Sequence, residues 1–100
     1  MVRIAESLKN LLSELQKELL TLYGERLVKL VLYGSYARGE ANPNSDVDIM
    51  VVLKPPVNSF SEILTIADVT TKLSLKYGEL ISILPISEID FTQNSDLAYI

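Results

Sequence analysis

Leu27-Val28-Lys29-Leu30-Val31-Leu32-Tyr33 and Val47-Asp48-Ile49-Met50-Val51-Val52-Leu53 are the two stretches that decide the fold. Each is short and apolar or β-branched almost throughout. The first lies between Gly24 and Gly34. The second follows Asp46 and stops before Pro55-Pro56, because proline cannot donate to a ladder. Both read as strands buried on both faces. Gly34 to Ser45, between them, is rich in Gly, Asn, Pro and Ser, with space for one helical turn near Tyr36–Arg38. A loop with no long helix most easily returns the second strand antiparallel to the first.

Outward from this pair, the pattern turns helical. Ile4, Leu8, Leu11, Leu12, Leu15, Leu19 and Leu22 fall in the rhythm of one helix face, and Gly24 is a natural stop. Glu14, Glu18, Lys9 and Lys17 lie off that stripe. Downstream, Ser59-Phe60-Ser61-Glu62 fits a capping box, with Ser59 as N-cap and Glu62 reaching back. The helix it opens carries Ile63, Ile66, Ala67, Val69 and Leu73 and stops near Tyr77–Gly78. Glu79 to Ile86 reads as a third strand, and Ser87-Glu88-Ile89-Asp90 as the start of a short last helix. The long helix is a crossover, so strand 3 is expected to run parallel to strand 2, with a right-handed connection. The expected fold class is α+β: one domain over 1–100, a small mixed β-sheet packed by helices, in the order α-β-β-α-β. The end of strand 1 and the starts of strands 2 and 3 then meet at one end of the sheet. The apolar terminus Leu97-Ala98-Tyr99-Ile100 is expected to be a truncated tail or to dock on the core or a partner.

Composition narrows the chemistry. The chain has no cysteine and no histidine, which removes disulfides, thiol nucleophiles, Cys/His zinc sites and the Ser-His-Asp triad. General base work falls to carboxylates, and a metal would sit on oxygen ligands, which favours Mg²⁺, Mn²⁺ or Ca²⁺. Acidic residues outnumber basic ones 13 to 9, which argues against a general nucleic-acid binder. No apolar run reaches the length of a membrane span and no secretory signal is visible, so a cytoplasmic location is expected, with no membrane partner.

Asp46 and Asp48 are two apart on a strand, so both carboxylates project from one face. Two like charges at the mouth of a buried strand repel each other and lose hydration, and a hard cation relieves both problems. The other reading is a solvated pair that caps a turn, since Asn44 and Ser45 are turn residues. Gly34 ends strand 1, where a glycine lets the backbone approach a ligand closely. The Ser35 hydroxyl can donate to phosphate oxygens; a plain tight turn is the alternative. A phosphate cradle facing a metal site is the arrangement that metal-assisted phosphoryl transfer needs. Arg38 is open to two readings, a phosphate or partner contact and an ion pair with Glu40. Tyr33 and Tyr36 can stack on a base or pack in the core.

Gly34-Ser35, ten residues and then Asp46-Val47-Asp48 resemble the signature of the minimal nucleotidyltransferases, in the DNA polymerase β-like superfamily. The similarity includes Ala37-Arg38-Gly39 and Ser45 and covers the core from about Leu27 to Leu53. The resemblance implies a palm-like core of the polymerase β type. It implies that Gly34 and Ser35, with Arg38 nearby, hold a nucleoside triphosphate. Asp46 and Asp48 would bind two Mg²⁺ or Mn²⁺ ions, and attack on the α-phosphorus would release pyrophosphate. Family members often carry a third carboxylate inside strand 3. This chain has Ile81-Ser82-Ile83 there, which leaves Glu79 as the nearby acid, or Ser82 in the acid's place.

The resemblance further implies transfer of AMP from ATP to a hydroxyl of a partner protein, as in the antitoxin half of HEPN–MNT toxin–antitoxin pairs, whose partner is an RNase. The short chain leaves little space for an acceptor domain, so a homo- or hetero-oligomer is expected. The alternative is a non-catalytic antitoxin or binding module with a degenerate nucleotide site. A bare metal- or phosphate-binding domain is a third reading.

Overall fold

The computed structural model describes residues 6–42 and 44–93. The chain runs α1 (Glu6–Tyr23), a 3-10 turn (Gly24–Arg26), β1 (Leu27–Tyr33), α2 (Gly34–Arg38), β2 (Val47–Leu53), α3 (Ser59–Tyr77), β3 (Ile81–Ser87) and α4 (Glu88–Gln93). The sheet has the order β1-β2-β3, with β1 antiparallel and β3 parallel to β2. This is the expected α+β architecture with a mixed sheet packed by helices. Ile4 and the segment Leu97–Ile100 lie outside the described residues.

Alternation along β2 divides the molecule into two layers. Val47, Ile49, Val51 and Leu53 face the side of α1 and α3, where they pack with Leu8, Leu15, Leu19, Tyr23, Ile66 and Leu73. Met50 and Val52 face the other side and pack with Phe91 of α4. β2 is therefore buried on both faces, as its continuous apolar run requires. β1 is not. It is an edge strand, and its Val28 and Lys29 are exposed. An apolar run marks a strand but does not say whether neighbours cover both its faces.

On α1, Leu8, Leu11, Leu15 and Leu19 are buried, but Tyr23 continues the stripe in place of the exposed Leu22. On α3, Ile66 and Leu73 are buried and Val69 packs beside them, whereas Ile63 is half exposed. β3 starts at Ile81, two residues later than expected, and ends on Ser87. Ser87 Oγ then accepts from the Asp90 amide at 3.0 Å, which starts α4 where the sequence places it.

The expected capping box at Ser59 does not form. Asn58 is the N-cap, and its Oδ1 accepts from the Ser61 amide at 3.0 Å. Glu62 turns inward instead. Its Oε1 accepts from the Tyr23 hydroxyl at 2.9 Å, and its Oε2 lies 3.3 Å from the Arg26 guanidinium. Arg26 also donates to the Pro56 carbonyl at 2.8 Å. A buried carboxylate bound to a cation and a hydroxyl gains more than one turned back to the Ser59 amide. Burial first, and then the bond to Glu62, push the Tyr23 hydroxyl well above its ordinary value. This cluster ties the end of α1 to the start of α3.

Farther along, Lys72 pairs with Glu18, and Glu14 accepts from Lys76 at 2.5 Å and from Tyr77 at 2.7 Å. The charges set off the α1 stripe thus stitch α1 to α3. Among the described residues, no helix is long and apolar enough to cross a membrane.

Two outcomes follow from these ties. Glu62→Ala leaves a buried Tyr23 hydroxyl without its acceptor and a half-buried Arg26 without its counter-charge, and it is expected to cost about 2 kcal/mol. A lower urea midpoint at unchanged slope checks this. The bond from Lys76, then that from Tyr77, hold the Glu14 carboxyl below its ordinary 4.5. A carboxyl lowered by folding adds stability that is full above its unfolded value and is lost as pH falls through the folded one. Glu14→Gln is expected to lower the urea midpoint near neutrality, with the gap to wild type closing as pH falls below 4.5.

Candidate active site

β1 ends where the sheet's alternation places Tyr33 on the face opposite α1 and α3. Tyr33 pairs with Asp48 of β2, and Asp48 pairs with Ser82 of β3. One row across the sheet is therefore Tyr33, Asp48 and Ser82, on the same face as Met50. Asp46 precedes β2 by one residue and follows the same alternation, so it belongs to that face. Asp46 is exposed and Asp48 half-buried, with the fully buried Val47 between them.

Immediately after Tyr33 the chain turns at Gly34, whose φ is +73°. A Cβ on Gly34 would lie 2.2 Å from Asp48 Oδ2 and 3.1 Å from its Cγ. No side chain fits there, and the backbone conformation disfavours one too. The two halves of the motif are thus in direct contact: the Asp48 carboxylate packs on the bare backbone of Gly34.

The segment beyond Gly34 is the short helix α2, and its Ser35 is half-buried. Gly39, with φ +72°, closes it, while the Glu40 amide donates to the Ser35 carbonyl at 2.8 Å. The chain re-enters the sheet through a turn in which Asn42 Oδ1 accepts from the Asn44 amide and Ser45 Oγ from the Asn42 amide.

The remaining candidates are placed as follows. Arg38 is exposed and donates to Glu40 Oε1 at 2.9 Å, the ion-pair reading of the two. Tyr33 packs beside Met50, Val52 and Phe91; burial, and then the Asp48 charge, raise its hydroxyl above the ordinary value. Tyr36 packs its ring on the helix-side core and donates its hydroxyl to Glu79 Oε2 at 3.0 Å. Among the described residues, no group of three or more acidic side chains is gathered to hold one metal ion. The structure thus joins Gly34 to Asp48 and engages Glu79 with Tyr36, while Asp46 is exposed one residue before β2. Sequence reasoning missed the Tyr36–Glu79 bond, because no spacing rule links positions so far apart in the chain.

The donor set is two carboxylates and a hydroxyl at Ser35, with the space that a Cβ would take at Gly34 filled by the Asp48 carboxylate. Such a set suits a hard cation and the oxygens of a phosphate.

The contact between Gly34 and Asp48 can be isolated by comparison. Gly39 has nearly the same φ but open space where a Cβ would go. Gly39→Ala is expected to cost only the conformational penalty, about 1–2 kcal/mol. Gly34→Ala should cost clearly more in urea unfolding, and adding Asp48→Ala to it should recover the excess. Equal costs at the two glycines would contradict the contact.

Comparison with known proteins gives the family. A model described as the nucleotidyltransferase domain matches residues 12–98. Three proteins of Methanocaldococcus jannaschii, each named "Putative protein adenylyltransferase", are similar to the chain. One is 36% identical over 72% of this chain and 72% of its own length. A second is 33% identical over 88% of this chain and 82% of its own length. A third is 32% identical over 88% of this chain, which spans 60% of that protein. No solved structure matches significantly. By the matched span, the shared identity and the Gly34–Asp48 geometry, the chain belongs to the nucleotidyltransferase domain family.

Proposed function

We propose that the chain transfers a nucleoside monophosphate, AMP from ATP, to a hydroxyl of a partner protein, with Mg²⁺ or Mn²⁺ held by Asp46 and Asp48. The observation that carries this reading is the packing of the Asp48 carboxylate on Gly34, with Asp46 exposed two residues before Asp48. It seats a carboxylate able to bind a cation against the start of the Gly34-Ser35 segment, in a chain of the nucleotidyltransferase family. The relatives' names support protein as the acceptor class. The acidic balance favours a protein over a nucleic-acid acceptor. Following the resemblance of the motif, the partner we propose is a HEPN-type RNase toxin, with this chain as its antitoxin in the cytoplasm.

In this reading the bond from the acceptor oxygen to the α-phosphorus forms as the bond to the bridging oxygen of pyrophosphate breaks. The metal, when bound, supplies neutralisation of the triphosphate charge and favours loss of the acceptor proton. Gly34 makes room for the Asp48 carboxylate, and Ser35 donates to the phosphates. Asp46 and Asp48 place negative charge opposite that cradle. Tyr33, beside Asp48, lines the floor of the site.

A second reading has its own observation. The register partner of Asp48 is Ser82, which cannot supply a third carboxylate, and no three-acid group is present among the described residues. That favours a binding module that neutralises its partner by contact.

Intact masses after incubation with ATP, Mg²⁺ and the product of the adjacent gene separate the two. Transfer predicts one added AMP on the partner, abolished by Asp46→Asn. A stable complex with no mass gain and no response to ATP supports the binding module. A second check is thermal. ATP with Mg²⁺ at about 100-fold over its Kd should stabilise the wild type by about 2.7 kcal/mol and leave Asp48→Asn unshifted.

A further inference from the structure

We propose that Tyr36 and Glu79 form a strap that holds the Gly34–Arg38 segment at the end of the sheet beside Asp48, which makes Glu79 a positioning residue acting through Tyr36. The strap stands on geometry alone; its effect on nucleotide binding rests on the function proposed above.

α2 has five residues, and a helix of that length has no stability of its own. Its closing backbone bonds are Gly39 N–H to the Tyr36 carbonyl at 3.3 Å and Glu40 N–H to the Ser35 carbonyl at 2.8 Å. Its position must come from tertiary contacts. Tyr36 supplies two of them at once. Its ring packs on the helix-side core, and its hydroxyl donates to Glu79 Oε2 at 3.0 Å.

Glu79 is a fixed anchor. On one side, Gly78 at φ +66° ends α3, with its N–H bonded to the Ser74 carbonyl at 2.9 Å. On the other, the Leu80 carbonyl accepts from the Val47 amide at 2.8 Å. Glu79 is thereby held beside the residue that separates Asp46 from Asp48. The strap ties α2 to the connection between α3 and β3, separately from the Gly34–Asp48 contact.

The bond is of a strong type, since its acceptor is a carboxylate. Burial first, and then the bond to Glu79, raise the Tyr36 hydroxyl above its ordinary value, so it remains a donor at neutral pH. Turning Glu79 toward Asp46 and Asp48 would remove the acceptor of a half-buried hydroxyl. It would also release the segment that Gly34 begins.

Amide exchange at Gly39 and Glu40 reads the strap directly. Tyr36→Phe keeps the ring in the core and removes only the donor; Glu79→Ala removes only the acceptor. Both are expected to speed exchange at these amides by roughly tenfold and to weaken ATP–Mg²⁺ binding by a similar factor, with melting of the whole domain little changed. The double variant should be no worse than either single one. Glu79→Gln retains an acceptor oxygen and should rescue most of what Glu79→Ala loses. Wild-type exchange in both Tyr36→Phe and Glu79→Ala would overturn the strap. So would Glu79→Gln losing as much nucleotide affinity as Glu79→Ala while Tyr36→Phe binds as wild type, the pattern of a metal ligand. If exchange responds as expected but the wild type binds no ATP–Mg²⁺, the strap stands and the proposed function fails.

Discussion

The contact between Asp48 and the bare Cα of Gly34 is the constraint on which the site depends. It demands a residue without a side chain at the end of β1, and a backbone conformation there that most residues avoid. It demands that β1 and β2 be antiparallel neighbours in the register that sets Tyr33 opposite Asp48. A slip of one residue would turn both aspartates into the helix-side core, where Val47 and Ile49 now sit. The apolar residues of β2 that bury its helix face therefore also aim its two acids outward.

The rest of the architecture keeps that register in place. α1 and α3 cover the helix-side face and are joined to each other by Glu62 with Tyr23 and Arg26 at one end. Glu14 and Glu18 join them at Tyr77, Lys76 and Lys72. On the other face, Phe91 of α4 packs with Met50, Val52 and Tyr33, and among the described residues Asp48 stays half-buried and Ser82 exposed.

Much of this was legible in the sequence. The bounds of β1 and β2 follow from apolar runs ended by Gly34 and Pro55, and their antiparallel pairing follows from the short loop between them. Gly34, Ser35, Asp46 and Asp48 were visible as a motif because their spacing reflects a local return of the chain. What was not legible depends on contacts distant in sequence. Ser59 and Glu62 fit a capping box by spacing alone, but Arg26 and Tyr23 draw Glu62 inward, and Asn58 caps instead. β1 reads as fully buried until the sheet order makes it an edge. Glu79 stands out as an acid near the site, but only the fold brings Tyr36 to it.

Manganese with ATP offers the most direct test of the central claim, that the Gly34–Asp48 junction is a metal–nucleotide site. Mn²⁺ broadens nuclear resonances near it, so amide spectra locate it without any need for turnover. The account predicts that Mn²⁺–ATP selectively broadens the amides of Gly34, Ser35, Val47 and Asp48, and that Asp48→Asn abolishes the effect. Broadening centred elsewhere, or unchanged in Asp48→Asn, would contradict it.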